Sequence, residues 1–314
     1  MKSFAIFLLS IQIIASHGFS PASCNNQRVQ SKLFAEGGAP QYDKCDAILK
    51  EAEVLSKGSV MLHIETDSTI DYEPGHVLAL EIEGKVVNEK SAKDTAANGG
   101  WIRGPYTVSR SSENTLDILL KVVGEKSKIF ADADAGTALK FGGKFKVPIV
   151  EGIQKETTKR VVLISTGVGV GPCVGAVEEA LKDKSFPPIE LCASYRDSNE
   201  IIYEELLNEL QSQNTGRFSW KSVISSYSGR LSANEKNLNA IAAPEGLDLN
   251  DTHYHLIGNG QMVGEFKAGL DKAGVPEDKV TTEMYFNHKA TMDDAVVDRI
   301  ADFVKSTKKA AVIS

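Results

Sequence analysis

The sequence predicts an antiparallel β-barrel followed by a doubly wound α/β domain with a parallel sheet, and three observations carry that prediction. Residues 60–150 alternate short β-branched runs with glycine and proline punctuation, the pattern of short antiparallel strands. From residue 161 onward, apolar runs alternate with helical stretches, as in a parallel sheet wound with helices. A glycine-rich loop follows the first of those apolar runs.

The barrel strands are expected at 60–64, 77–82, 102–109 and 116–123. Pro74-Gly75, Gly84, Gly99-Gly100 and Gly142-Gly143 separate or close them, and a short helix interrupts at 127–132. Upstream, 37–57 reads as a connector with helical character over 45–55. After a charged link at 154–160, residues 161–165 form a continuous apolar run, expected of a strand buried on both faces. Helices at 174–181 and 201–210 bracket a strand at 189–194. A strand at 254–257 precedes a helix at 262–273, and helical character returns over 292–304. The organisation is therefore a barrel domain over 46–153, an α/β domain over 154–290 and a helical extension over 291–314.

The 314 residues suffice for about two domains. With 42% hydrophobic and 25% charged residues, a sizeable core can form. A formal net charge of −7 argues against nucleic acid or an anionic membrane as partner, since both reward Lys and Arg. Cys24, Cys45, Cys173 and Cys192 form no C-x-x-C pair, so neither a zinc nor an iron–sulfur spacing is present. A disulfide framework is not expected at this density, and Cys173 and Cys192 read as small core residues.

Residues 4–15 are an apolar run behind Lys2, shorter than the roughly 20 residues of a membrane span. They fit a signal peptide over 1–18. Residues 19–35 lack any acidic side chain and carry Ser, Asn, Gln, Arg28 and Lys32, so 19–45 reads as a transit-like segment and linker. The pair resembles the bipartite leaders of algae with complex plastids, and the expected location is the plastid (chloroplast). Plain secretion is the alternative, against which unpaired cysteines weigh.

The strand at 161–165 runs into Thr166-Gly167-Val168-Gly169-Val170-Gly171-Pro172. Glycines let backbone approach a pyrophosphate, and a helix N-terminus supplies unpaired N–H groups and positive dipole. A Rossmann G-x-G-x-x-G is excluded because Pro172 stands at the third glycine, and a P-loop because no Gly-Lys-Ser/Thr follows. A tight turn that binds nothing is the other reading.

The loop resembles the Gly-Thr-Gly-Ile-Ala-Pro loop of the ferredoxin–NADP reductase (FNR)-like superfamily. Other segments follow in that family's order: Tyr195-Arg196-Asp197 with Ile202-Tyr203-Glu204-Glu205-Leu206, then Leu256-Ile257-Gly258-Asn259-Gly260-Gln261-Met262, then Glu283-Met284-Tyr285-Phe286. The resemblance spans roughly residues 57–287. It implies an FAD-binding barrel and an NAD(P)-binding domain.

In the barrel, Arg103-Gly104-Pro105-Tyr106-Thr107-Val108-Ser109 resembles the family's Arg-x-Tyr-Ser/Thr signature. The resemblance implies that Tyr106 packs on the isoalloxazine, that Thr107 orients flavin N5, and that Arg103 pairs with the pyrophosphate. Arg103 stands three residues before Tyr106, where the family has two. That insertion flips Arg103 to the other strand face unless a bulge at Gly104-Pro105 absorbs it; Arg110 is the substitute. The resemblance also implies Val108, Ser109, Val122 and Val123 at the FAD, and Ser127 is expected to cap the short helix toward the FAD pyrophosphate.

In the second domain, Thr166, Gly167, Val168, Gly169, Val170 and Pro172 are implied at the nicotinamide pyrophosphate, with Gly258, Asn259, Gly260 and Met262 beside them. Arg196 and Arg230 offer the cation that a 2′-phosphate requires, and Ser228 with Arg230 resembles the Ser-Arg pair with which NADP-specific members hold it, which favours NADP(H) over NAD(H). Ile257 stands where many members place a Cys, and the chain continues past Phe286.

The resemblance implies an FAD-dependent NAD(P)H oxidoreductase. Hydride transfers between nicotinamide and flavin N5, with Thr107 and Glu283 as catalytic residues. The electron acceptor is a ferredoxin, a quinone, a haem protein or a small molecule. The alternative is a cofactor-binding electron-transfer subunit or redox sensor that needs a partner.

Overall fold

The computed structural model describes residues 42–83, 99–145, 149–242 and 249–312; the expected leader lies outside them. Seven strands pair antiparallel in one sheet: β1 (Lys44–Ser56), β2 (Ser59–Glu65), β3 (Val77–Glu83), β4 (Trp101–Thr107), β5 (Arg110–Ser112), β6 (Thr115–Lys121) and β7 (Ala138–Gly142). Their order is β4-β3-β7-β1-β2-β6-β5. The two end strands, β4 and β5, are separated in sequence by only Val108 and Ser109, so the sheet must curl onto itself. Val108 N donates to His76 O and Ser109 N to Asp117 O, both at 2.8 Å, carrying the pairing around the corner. Leu49, Leu62, Leu78, Leu80, Ile102, Ile118 and Phe141 fill the interior.

One expectation fails at the start of the barrel. Residues 45–55 are not helical but belong to β1. Cys45, Ala47 and Leu49 are buried and alternate with exposed Lys44, Asp46 and Ile48. That period of two is a strand's. Lys50, Glu51 and Glu53, which read as helix formers, are exposed on the same strand. The barrel thus begins at Lys44. Cys45 is disulfide-bonded, which corrects the expectation of unpaired cysteines and removes its weight against secretion, whereas Cys173 and Cys192 are free and buried. Burial pushes both free thiols up, Cys192 to about 12, so they are inert core residues.

The second domain has a parallel sheet of β8 (Arg160–Thr166), β9 (Ile189–Tyr195), β10 (Phe218–Ile224), β11 (Thr252–Asn259) and β12 (Val280–Phe286), ordered β10-β9-β8-β11-β12. Its main helices are α2 (Val170–Lys182), α3 (Glu204–Gln213), α4 (Gly260–Ala273) and α5 (Asp294–Val312), after α1 (Glu125–Ala131) in the barrel domain. Leu163 and Val177 belong to one core and Val162, Ile164 and Phe266 to another, so β8 is buried on both faces. Strand order reverses between β8 and β11, which leaves a crevice at their carboxyl ends. The helical extension is α5; its Ile300 fills the space a side chain at Gly269 of α4 would need, with a Cβ there only 2.6 Å from Ile300 Cγ2.

One boundary shifts for a local reason. The helix expected from 201 starts at Glu204, because Tyr203 turns left-handed at φ 64. Further on, β10 ends at Ile224. Residues 225–228 then form one helical turn, with Ser228 Oγ donating to Ile224 O at 3.1 Å.

The domains dock through α2. A Cβ at Gly175 would lie 1.8 Å from Ser109 O, and one at Gly171 would lie 2.5 Å from Ser109 Oγ. Residues four apart share a helix face, so this glycine pair lets α2 rest on the barrel corner. Beside it, Arg110 donates two bonds to Glu178, at 2.6 and 2.8 Å, and stacks 5.1 Å from the Tyr203 ring centroid. Met61, Leu119 and Ile149 of the barrel join Val168, Val170 and Val174 in one apolar cluster.

Gly175→Ala is expected to force the domains apart and destabilise the protein by about 1–3 kcal/mol, read as a lower urea midpoint with unchanged slope.

Three buried histidines give the fold a pH dependence. Burial lowers His76 and His253 to about 4 and His255 to about 3. Nearby Lys144, Lys279 and His253, respectively, add to the effect. Unfolded histidine titrates near 6.5, so acid protonates the unfolded chain first. This stability is present above about pH 6.5 and is lost as pH falls toward about 4, by up to roughly 1.4 kcal/mol per pH unit for each histidine. Thermal melts from pH 7 to pH 4.5 are expected to show a falling midpoint, with a shallower slope in His253→Gln.

Candidate active site

A cavity of about 870 Å³ opens where the barrel meets the second domain. It is lined by the end of β4, the β6–α1 corner, the glycine loop after β8 and the end of β12. Its volume falls within the roughly 300–1,000 Å³ of cofactor-sized sites.

From β4, Tyr106 and Thr107 face this space. The Tyr106 ring meets Phe130 edge-on at 5.1 Å. Gly104 makes room for it, since a Cβ there would lie 2.8 Å from Tyr106 Cε2. Burial holds the Tyr106 phenol far above its ordinary range, so it stays neutral. Thr107 Oγ1 donates to Glu283 Oε1 at 2.6 Å. Both residues are buried, each 7% exposed. With its proton committed to Glu283 and the Tyr285 hydroxyl also bonded to it, Thr107 Oγ1 keeps one lone pair that can accept an N–H.

Arg103 is not a cavity residue. The β3–β4 register runs unbroken from Val77↔Thr107 to Glu83↔Trp101, so no bulge forms at Gly104-Pro105. Strand alternation then turns Arg103 away. Its guanidinium lies 3.7 Å from Glu81, bonds the Tyr42 hydroxyl and stacks 4.8 Å from that ring. Arg110 does not replace it, because Glu178 engages it on the opposite side of the interface. The cations that line the cavity are Lys121 and Lys126. Lys126 Nζ is steadied by the Arg103 carbonyl at 2.8 Å. Sequence reading gave neither a role, although both lie in the segment 121–127 that ends at Ser127.

Val108 and Ser109 are fully buried under α2, where Ser109 Oγ accepts Leu119 N at 3.2 Å. They hold the barrel corner instead of lining the cavity. Val122 packs on the barrel core, and Val123 lines the cavity at 79% exposure. Ser127 is not the helix cap: α1 starts at Glu125 behind Gly124. Ser127 Oγ instead reaches back to accept the amides of Val123 and Gly124, at 3.0 and 3.2 Å.

In the glycine loop, Gly167 adopts φ 54 with open space where a Cβ would stand, and Val168 lines the cavity. Thr166 Oγ1 accepts Asn259 N at 2.8 Å. Gly258, at φ 124, is required there, because a Cβ would sit 2.2 Å from that hydroxyl. Gly169 likewise packs on Ile257 O. The ends of β8 and β11 are thus stitched together at the crevice. Val170 and Pro172 are buried, and proline in the first helical turn lacks an N–H that would have no partner anyway. Asn259 Oδ1 caps α4 by accepting Gln261 N at 2.9 Å, and Gly260 lies against Asn287 O. Met262 packs into the core beside Val263 rather than into the cavity.

Arg196, Ser228 and Arg230 stand exposed at the ends of β9 and β10. Ser226 N donates to Arg196 O at 3.0 Å, joining the two strand ends. Asn237 Nδ2 clamps the loop through the carbonyls of Ser228, Gly229 and Arg230, at 3.0, 3.2 and 2.9 Å. Arg230 Nη1 donates to Gln261 Oε1 at 2.7 Å. No sequence signal marked Asn237 or Gln261 for these contacts. Among the described residues, no group of three or more His, Cys, Asp or Glu could hold a metal ion, and no helix is long and apolar enough to cross a membrane.

Residues 163–267 match the family described as the oxidoreductase NAD-binding domain. A flavohemoprotein of Candida norvegensis is 27% identical over 121 residues, which is 38% of this chain and 28% of that protein. The fold is shared with the flavohemoglobin of Malassezia yamatoensis, determined with bound FAD and heme. That likeness has TM-score 0.62 and 18% identity, over 77% of this chain and 60% of that one. It is shared equally with a ferredoxin NADP+ reductase of Neisseria gonorrhoeae with bound FAD and NADP, at TM-score 0.62 and 17% identity, over 78% of this chain and 100% of that one. This chain therefore spans less than two thirds of either haem-protein relative.

Ser127→Ala is expected to release the Val123 and Gly124 amides. Their hydrogen exchange should accelerate several-fold by NMR while that of the β8 amides stays unchanged.

Proposed function

We propose that this chain, which has the two-domain fold of the FNR-like reductases and an oxidoreductase NAD-binding domain, is an FAD-dependent NAD(P)H oxidoreductase. The observation that carries the reading is the Thr107–Glu283 hydrogen bond. It joins the barrel to β12 of the second domain inside a cavity of about 870 Å³ that both domains line.

The residues present fit FAD. Tyr106 offers a neutral ring face, Thr107 an acceptor, and Lys121 and Lys126 positive charge in place of the arginine expected at 103. When bound, FAD supplies the two-electron carrier that exchanges hydride with a nicotinamide. Thr107 orients the group it accepts from, and Glu283 Oε1 fixes the Thr107 hydroxyl by accepting its proton in a 2.6 Å hydrogen bond. Burial of that pair keeps water from it, which strengthens it.

The nicotinamide dinucleotide lies along the β8 and β11 loops, where Gly167 leaves the backbone open. Arg230 and Arg196 give the edge of that crevice positive charge and favour NADPH over NADH. Phe286 and His288 line the mouth of the cavity, where an electron acceptor reaches it. A ferredoxin, a haem protein or a small molecule fits that role, and the leader reading places the protein in a plastid. A fluorescent fusion of residues 1–40 tests the location, and fluorescence in the medium or endomembranes rejects it.

Purified protein reconstituted with FAD is expected to turn yellow, to bleach with NADPH and to reduce a dye acceptor. Absence of bound flavin overturns the proposal. Flavin that NADPH does not bleach would favour an electron-transfer subunit or sensor. Thr107→Val and Glu283→Gln are each expected to lower the rate of bleaching by roughly 100-fold, with flavin still bound.

A further inference from the structure

Arg230 is exposed, and a free guanidinium on a long stem samples many rotamers. Two features restrain this one. Asn237 fixes the backbone of its loop through three carbonyls. Gln261, in the first turn of α4, accepts Nη1 at 2.7 Å.

The Gln261 amide is itself oriented. Its Nε2 donates to Glu265 Oε1 at 2.9 Å, one helical turn along α4. Glu265 is 2% exposed, and the same oxygen accepts the Asp293 amide at 3.3 Å. The two ends of the amide cannot exchange. A flip would set Nε2 against a guanidinium that only donates, and Oε1 against a carboxylate oxygen that already accepts another N–H. A buried carboxylate thus points the Gln261 oxygen at Arg230.

The partner's chemistry matters. A carboxylate touching Arg230 would cancel its charge and compete with an incoming phosphate. An amide oxygen holds the guanidinium and leaves the charge intact. Arginine carries five donors, of which Gln261 takes one.

We propose that Gln261, oriented by Glu265, is a positioning residue that holds Arg230 for the 2′-phosphate of NADPH and so sets the protein's preference for 2′-phosphorylated adenine nucleotides. This rests on the NADPH reading above. It also ties the helical extension to nucleotide choice, since the Asp293 amide that secures Glu265 lies directly before α5.

The test is titration calorimetry of the full chain with 2′,5′-ADP and with 5′-AMP, which needs no turnover. Wild type is expected to bind 2′,5′-ADP the more tightly. Gln261→Leu should weaken 2′,5′-ADP by roughly 3- to 10-fold, as for loss of a charge-assisted hydrogen bond, and leave 5′-AMP unchanged. In an Arg230→Ala background the same substitution should have no further effect. Glu265→Gln, which keeps an acceptor for both N–H groups, should retain most of the preference. If wild type prefers 2′,5′-ADP but Gln261→Leu changes nothing, weakens both ligands equally or tightens 2′,5′-ADP, the positioning role is overturned alone. If wild type binds both ligands equally, the NADPH reading falls and takes this inference with it.

Discussion

The contact between α2 and the barrel corner governs the rest of the molecule. Gly171 and Gly175 bring helix backbone against Ser109, and the Arg110–Glu178 pair closes the same seam. The cavity has walls from both domains, so its shape exists only while that seam holds. Thr107 and Glu283 stand 176 residues apart in sequence. Their 2.6 Å contact follows from docking, not from any local preference.

Within each domain, glycine performs a different task at each site. Gly104 yields space for the Tyr106 ring, and Gly258 yields space for the Thr166 hydroxyl. Gly167 yields space to nothing in the protein, which is what a ligand-facing backbone requires. Polar side chains then secure the loops that these glycines permit. Thr166, Asn259 and Asn237 each satisfy backbone groups at a strand end. The crevice is therefore preorganised, which lowers the ordering cost of binding.

The two fold types and the glycine loop were legible because they rest on short-range patterns. A run of four apolar residues in β8 reads the same in any context that buries both faces. The β1 segment was misread because its Lys and Glu residues favour helix in isolation, while its buried positions recur every second residue. Ser127 was assigned as a cap because a serine near a helix start usually is one; here it stands in the helix and bonds back to the preceding loop. Arg103 turned on a single inserted residue, and only the register with β3 showed that no bulge absorbs it.

The sequence by itself determined the elements that depend on periodicity and on backbone permission: most of the barrel strands, the wound sheet and the loop 166–172. Tertiary structure decided which of those side chains share a space. It removed Arg103, Arg110 and Ser109 from the cavity, brought in Lys121 and Lys126, joined Thr107 to Glu283, and set Gln261 beside Arg230. The physical reason is that residue type and spacing are local properties. Facing, pairing and closeness depend on how two packed bodies meet.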